Sequence, residues 1–231
     1  MIKKVASFFC YAAFVVLIIL DMYYEIFNTT FQISMFQKFM IIIASIILLF
    51  LGSYLRVLTS KKGKAKKERI IYNTVFAVFI IYLIQLFILL FVEKNFGRRF
   101  DIKIWLSNIS NFSKYFEHYF NIKPFKTILG YTSEYRNGFI NLNYLITFIV
   151  GNLFAFMPFG IFIPLLFKNI RGYFKFTILM FLIILSCEAL QFITFTGCFD
   201  VDDIIVNLFG ALYIFVIIKL DPFKKLISKL D

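Results

Sequence analysis

The chain has 231 residues, 61% hydrophobic and 21% aromatic, with a mean hydropathy of +0.85. An apolar share so far above the roughly 45–50% of soluble domains excludes a single water-soluble globule, and it turns the length into room for several membrane spans of about 20 residues each. Twenty-five lysines and arginines stand against 13 acids, a formal charge of +12; in a membrane protein that reports cytoplasmic loops and anionic headgroups as partners rather than nucleic acid.

Three cysteines, Cys10, Cys187 and Cys198, make no CxxC and no disulfide framework. The one histidine, His118, rules out a histidine-rich zinc site. Heavy use of Phe, Ile, Lys, Asn and Tyr points to a bacterium with an AT-rich genome.

Six apolar runs follow in chain order, at 5–20, 39–58, 70–92, 144–167, 173–195 and 204–220. Lys3 and Lys4 before the first resemble the start of a signal peptide. Asp21-Met22-Tyr23-Tyr24-Glu25 rather than a small-residue cleavage site follows it, so it reads as a retained helix. The runs are continuous and too long for alternating barrel strands. The expected fold is therefore an all-α integral membrane protein of about six transmembrane helices. Three N-terminal spans occupy 1–92, an extracytoplasmic loop 93–143, a three-helix core 144–220 and a basic cytoplasmic tail 221–231.

Positive charge sets the orientation. Lys61, Lys62, Lys64, Lys66, Lys67 and Arg69 lie between the second and third runs, and Lys168, Arg171 and Lys175 flank the turn between the fourth and fifth. The opposite short loops hold one lysine, Lys38, or only acids. The positive-inside rule then places both termini in the cytoplasm and the 93–143 loop outside. In that loop the stretches 100–106 and 115–120 mix aromatics with charge, a composition suited to helix lying among headgroups; anchoring by an aromatic belt is the plainer reading.

Polar residues gather where they are expensive. On the expected topology Asn152, Glu188, Gln191 and Asn207 lie about 6–12 Å below the outer boundary at the rise of an α-helix. Three helices thus put polar groups in one layer, the outer half of the membrane. An ionisable group at that depth is a functional-site hypothesis by default. Glu188 and Gln191 are i,i+3 neighbours, while Asp203, Asn207 and Gly210 form one stripe. Gly210 and Ala211 admit a close backbone. Asn152 and Gly160, eight apart, share a face of the fourth helix, which Pro158 and Pro164 interrupt.

The plainer readings are that Asp200, Asp202 and Asp203 cap a helix and that Asn152, Gln191 and Asn207 are interhelical hydrogen-bond glue. The oxygen-rich set also suits a divalent cation such as Mg²⁺, Ca²⁺ or Mn²⁺, although its spacing matches no EF-hand. No P-loop, G-x-S-x-G, H-E-x-x-H or nucleophile–base pair is present. No reaction is therefore assigned; Glu188, Asp202 and Asp203 are the candidates if there is one.

At these residues the chain resembles the VanZ-like family of bacterial membrane proteins. The matching segments are NIKPFKTI at 121–128, GNLFAFMPFG at 151–160, EALQ at 188–191 and FDVDDIIVN at 199–207, followed by Gly210. The resemblance covers about residues 120–220 and leaves out the first three spans. Many members carry an arginine just before the FDIDD-like segment; here Gly197 and Cys198 stand there, which leaves the acids' counter-charge unassigned. The resemblance implies an envelope protein, linked in the name-giving member to low-level teicoplanin resistance. The expectation is a cell-membrane protein whose outer-leaflet cavity, built by Asn152, Pro158, Gly160, Glu188, Gln191, Asp200, Asp202, Asp203 and Asn207, engages a cell-wall lipid precursor or glycopeptide-related ligand. The alternatives are a membrane enzyme acting on a lipid-linked phosphate or ester, with or without a divalent cation, and a transporter or structural partner.

Overall fold

A computed structural model describes residues 2–26, 35–60, 63–92 and 102–220. The tail at 221–231, the start of the 93–143 loop at 93–101, and Lys61 and Lys62 lie outside them. The described chain is almost wholly helical, and six helices are long and apolar enough to cross a membrane. The all-α, six-span expectation holds. Large apolar side chains such as Phe8, Ile47, Phe87, Phe154 and Phe209 are exposed. Water would penalise that surface and a lipid tail would not.

The chain forms two compact units, one ending at Gln85 and one beginning at Leu86. The first holds α1 (Ile2–Ile26), α2 (Met35–Thr59) and most of α3 (Lys64–Phe91). Several of its buried polar side chains are hydroxyls bonded to one another or to a backbone carbonyl, and one is an acid. Ser7 Oγ donates to the Gly52 carbonyl at 2.7 Å, and Thr74 Oγ1 lies 2.6 Å from Ser53 Oγ, which is 2.9 Å from the Tyr11 hydroxyl. Gln85 Nε2 donates to the buried Asp21 at 2.5 Å.

The second unit continues with α4 (Ile102–Ser110), α5 (Phe112–Tyr119), β1 (Phe120–Asn121), α6 (Lys126–Arg136), α7 (Leu142–Ala155), α8 (Phe159–Leu166), a 3₁₀ turn (Lys168–Ile170), α9 (Tyr173–Ile193), β2 (Phe199–Asp200) and α10 (Val201–Ile218). Its core is Phe176, Met180, Ile184, Ala211 and Phe215, all fully buried, with the Phe176 and Phe215 rings stacked 3.9 Å apart.

Two details correct the sequence reading. The fourth run breaks at Pro158 as expected, leaving helical geometry after Ala155 and resuming at Phe159, but Pro164 lies inside α8 without ending it. Pro158 lacks the N–H that would have carried the helix on. Asn152 and Gly160 therefore sit on different helices and share no helical face. Strand, absent from the expected fold, occurs among the described residues as one two-residue parallel ladder, Phe120↔Phe199 and Asn121↔Asp200.

The described part of the 93–143 loop is folded. α4 and α5 are the helices expected from the aromatic–charged stretches, and their rings close over the end of α9. Trp105 Nε1 donates to the Ile193 carbonyl at 3.1 Å and the Tyr115 hydroxyl to the Gly197 carbonyl at 2.7 Å. Burial pushes the Tyr115 phenol well above its ordinary pKa, with Cys198 and Tyr119 adding to the rise. α9 itself ends in a Schellman turn. Thr196 N–H donates to Gln191 O at 3.0 Å and Phe195 N–H to Phe192 O at 3.2 Å. Phe195 takes the left-handed position, φ 56°, where glycine is usual. Its ring packs 4.5 Å from Tyr115 and offsets the strain.

Candidate functional site

The acidic segment begins with Asp200, the last residue before α10. Its extended backbone and its carboxylate make it the N-cap, accepting the Asp202 N–H at 2.9 Å. The same carboxylate reaches across the molecule. It accepts Asn121 Nδ2 at 3.0 Å and the Thr127 hydroxyl at 2.5 Å.

Asp202 is fully buried and works at the start of a different helix. α6 opens after Phe125, whose side chain cannot cap it. The first turn of any helix leaves N–H groups without partners. Here Asp202 supplies the acceptor from 74–77 residues away in sequence. It takes the N–H of Phe125, that of Thr127 at 2.8 Å and that of Ile128 at 3.1 Å. Phe125 adopts φ 64°, which costs a non-glycine residue roughly 1 kcal/mol or more, and the bond from its N–H to Asp202 holds it there. The positive end of the α6 dipole thus faces the carboxylate. The counter-charge that the sequence leaves open is, for Asp200 and Asp202, a set of N–H and O–H dipoles. All four of their carboxylate oxygens accept a hydrogen bond, so a cation there would compete with the chain's own donors. Among the described residues no three His, Cys, Asp or Glu side chains gather in a metal-holding group.

Asp203 faces elsewhere. Asn152 on α7 donates to its Oδ1 at 2.6 Å. One helical turn on, Asn207 is 3% exposed, and its Oδ1 is buried without a hydrogen bond. One turn further, a Cβ on Gly210 would fall on the Leu153 carbonyl oxygen. The stripe Asp203, Asn207, Gly210 is therefore the face of α10 that meets α7. Gly160 serves the same close approach from α8: a Cβ there would sit 2.6 Å from the Ala211 carbonyl oxygen. Pro158 caps α8 from the break. Both residues sit where backbone meets backbone.

Glu188 and Gln191 are each 4% exposed on α9. Gln191 Nε2 donates to the Leu90 carbonyl at 3.1 Å, satisfying one of the acceptors that the end of α3 leaves open. The predicted residues thus divide. Asp200 and Asp202 join 121–128 to α10, Gln191 joins α9 to α3, and Asn152 and Asp203 join α7 to α10 beside buried Asn207. Residue types alone do not reveal the parts played by Asn121, Thr127 and the Leu90 carbonyl, since backbone groups carry much of the bonding. The signal for Asn121 and Thr127 is the family-like segment NIKPFKTI at 121–128, which contains both.

Over residues 79–222, more than half of the chain, the sequence matches the family model described as VanZ/LLP1. No curated protein matches the chain, and no solved structure does.

Proposed function

The chain belongs to the VanZ/LLP1 family, and from that premise we propose that it lowers susceptibility to glycopeptide antibiotics of the teicoplanin type by engaging an envelope lipid or glycopeptide-related ligand at the α7–α10 face. The observation that supports this reading is the polar stripe: half-buried Asp203 held by Asn152, followed by buried Asn207 with an unused acceptor. Buried polar atoms are nearly always hydrogen-bonded. An acceptor left over beside a carboxylate suits a ligand rich in hydroxyl and amide donors, such as a glycosylated peptide or a sugar-bearing lipid. On the orientation given by the positive-inside rule, this stripe lies in the outer half of the cell membrane, the side from which such ligands arrive. In this reading Glu188, buried on α9, acts as a second acid.

The test is teicoplanin susceptibility of a sensitive bacterium expressing Asp203→Asn or Glu188→Gln at wild-type membrane abundance. Both variants are expected to lose protection. Full protection from both overturns the reading. Turnover of a lipid-linked phosphate by the purified protein, or substrate flux in proteoliposomes, would replace it with an enzyme or a transporter.

A further inference from the structure

The first unit holds a second polar feature, built from residues that precede the family match. Where α1 and α3 begin and α2 ends, a cavity of about 810 Å³ opens between the helices, lined by Tyr11, Ser53, Arg56, Lys66, Arg69 and Thr74 among others. A second, of about 520 Å³, shares Tyr11, Arg56 and Lys66 with it and adds Lys4 and Ser60. The two form one cleft with four cationic side chains on its walls and, among the described residues, no acid. The described acids of the unit lie elsewhere: Asp21 is bonded to Gln85, and Glu68 does not line the cleft.

The rest of the wall suits the same charge. The Tyr11, Ser53 and Thr74 hydroxyls form a hydrogen-bonded chain, and the Ser60 hydroxyl oxygen is buried without a partner. Leu49, Ile70 and Ala77 supply an apolar side. Two guanidiniums beside hydroxyl groups match the oxygens of a phosphate, which arginine holds through paired N–H donors. Two helix N-termini at the same end add positive dipole. Basic pockets between transmembrane helices are where anionic headgroups bind.

We propose that this cleft binds a phosphate group, carried either by an anionic phospholipid headgroup or by a soluble phosphate compound, with Arg56 and Arg69 holding the phosphate and Lys4 and Lys66 screening its charge. The cleft lies outside the matched residues and does not depend on the α7–α10 reading.

The experiment titrates delipidated full-length protein with dioleoylphosphatidylglycerol, dioleoylphosphatidylcholine and inorganic phosphate, following binding by native mass spectrometry. Wild type should prefer the anionic lipid. The double variant Arg56→Gln/Arg69→Gln should bind it roughly thirtyfold more weakly, the sum of two basic contacts of ordinary strength at an anionic surface. Arg56→Lys/Arg69→Lys, which keeps the charge but loses the paired N–H donors, should bind more weakly than wild type and more tightly than the glutamine variant. Lys114→Gln/Lys123→Gln, exposed and far along the chain, should change nothing. Lys66→Gln, a single exposed position, should weaken binding about fivefold by the same rule and serves if the double variant does not fold. Displacement of the lipid by millimolar inorganic phosphate would identify a soluble phosphate as the ligand; no displacement would identify the headgroup. Equal affinity of wild type and the glutamine variants for phosphatidylglycerol would overturn the proposal, as would equal affinity of wild type for phosphatidylcholine.

Discussion

The two units handle buried polarity in opposite ways. In the first, Tyr11, Ser53 and Thr74 form a neutral hydroxyl chain, Ser7 donates to the Gly52 carbonyl, the buried Asp21 is bonded to Gln85, and the charges beside the hydroxyls are cations facing an open cleft. In the second, the charges are acids, and two of them are spent inside the fold. Asp200 and Asp202 together accept bonds from Asn121, Phe125, Thr127, Ile128 and Asp202 N–H. The difference teaches that a cluster of buried acids need not be a site. Its oxygens must be counted against the donors that reach them. By that count Asp200 and Asp202 are structural, whereas Asn207 on the α7–α10 face keeps a free buried acceptor.

The sharpest way to break this division is Asp202→Ala. It removes three backbone N–H bonds to a carboxylate at the start of α6, and at about 1.5–3 kcal/mol for each hydrogen bond to a charged group the cost should exceed about 3 kcal/mol. Thermal unfolding in detergent should show a large loss of Tm or no folded protein. Gly210→Val comes next: its side chain would strike the Leu153 carbonyl, backbone that cannot swing aside, so the overpacking should cost about 3 kcal/mol, the upper end of its usual range. It should lower Tm while leaving the 121–128 clamp bonded. Thr127→Val removes one hydroxyl donor to a carboxylate and should cost about 1.5–3 kcal/mol, read as a smaller drop in Tm. Asn152→Ala should cost only about 1 kcal/mol, the ordinary worth of a polar contact between transmembrane helices, yet abolish antibiotic protection if the α7–α10 face is the site.

The smallest effect concerns pH. The folded protein holds the Tyr115 proton more tightly than the unfolded chain, whose phenol titrates near 10.0. The stability from this group is therefore complete below that pH and falls as pH rises above it. Tyr115→Phe should flatten the alkaline decline seen in a series of melting curves.

Much of this architecture is legible in the sequence, because a continuous apolar run of span length has few alternatives. The runs at 39–58 and 173–195 correspond closely to α2 and α9. Pro158 announces the broken fourth span, and Gly210 the close approach to a neighbour, since each residue has one dominant physical use. The acids are harder. Capping by Asp200 is a local pattern readable from its place before an apolar run. The reach of Asp202 to Phe125, Thr127 and Ile128 is not, since it joins a side chain to backbone N–H groups that every residue type but proline carries. The same holds for Gln191 and the Leu90 carbonyl. The helical dipole that replaces the absent arginine leaves no residue to read.

The central claim is that Asp202 secures the 121–128 segment while the adjacent Asp203 does not. Hydrogen exchange measured on the peptide spanning 121–130 tests it directly, comparing wild type, Asp202→Asn and Asp203→Asn in the same detergent. Slow exchange in wild type and Asp203→Asn, with fast exchange in Asp202→Asn alone, is the predicted result. Equal protection in all three, or loss of protection in Asp203→Asn, would contradict it.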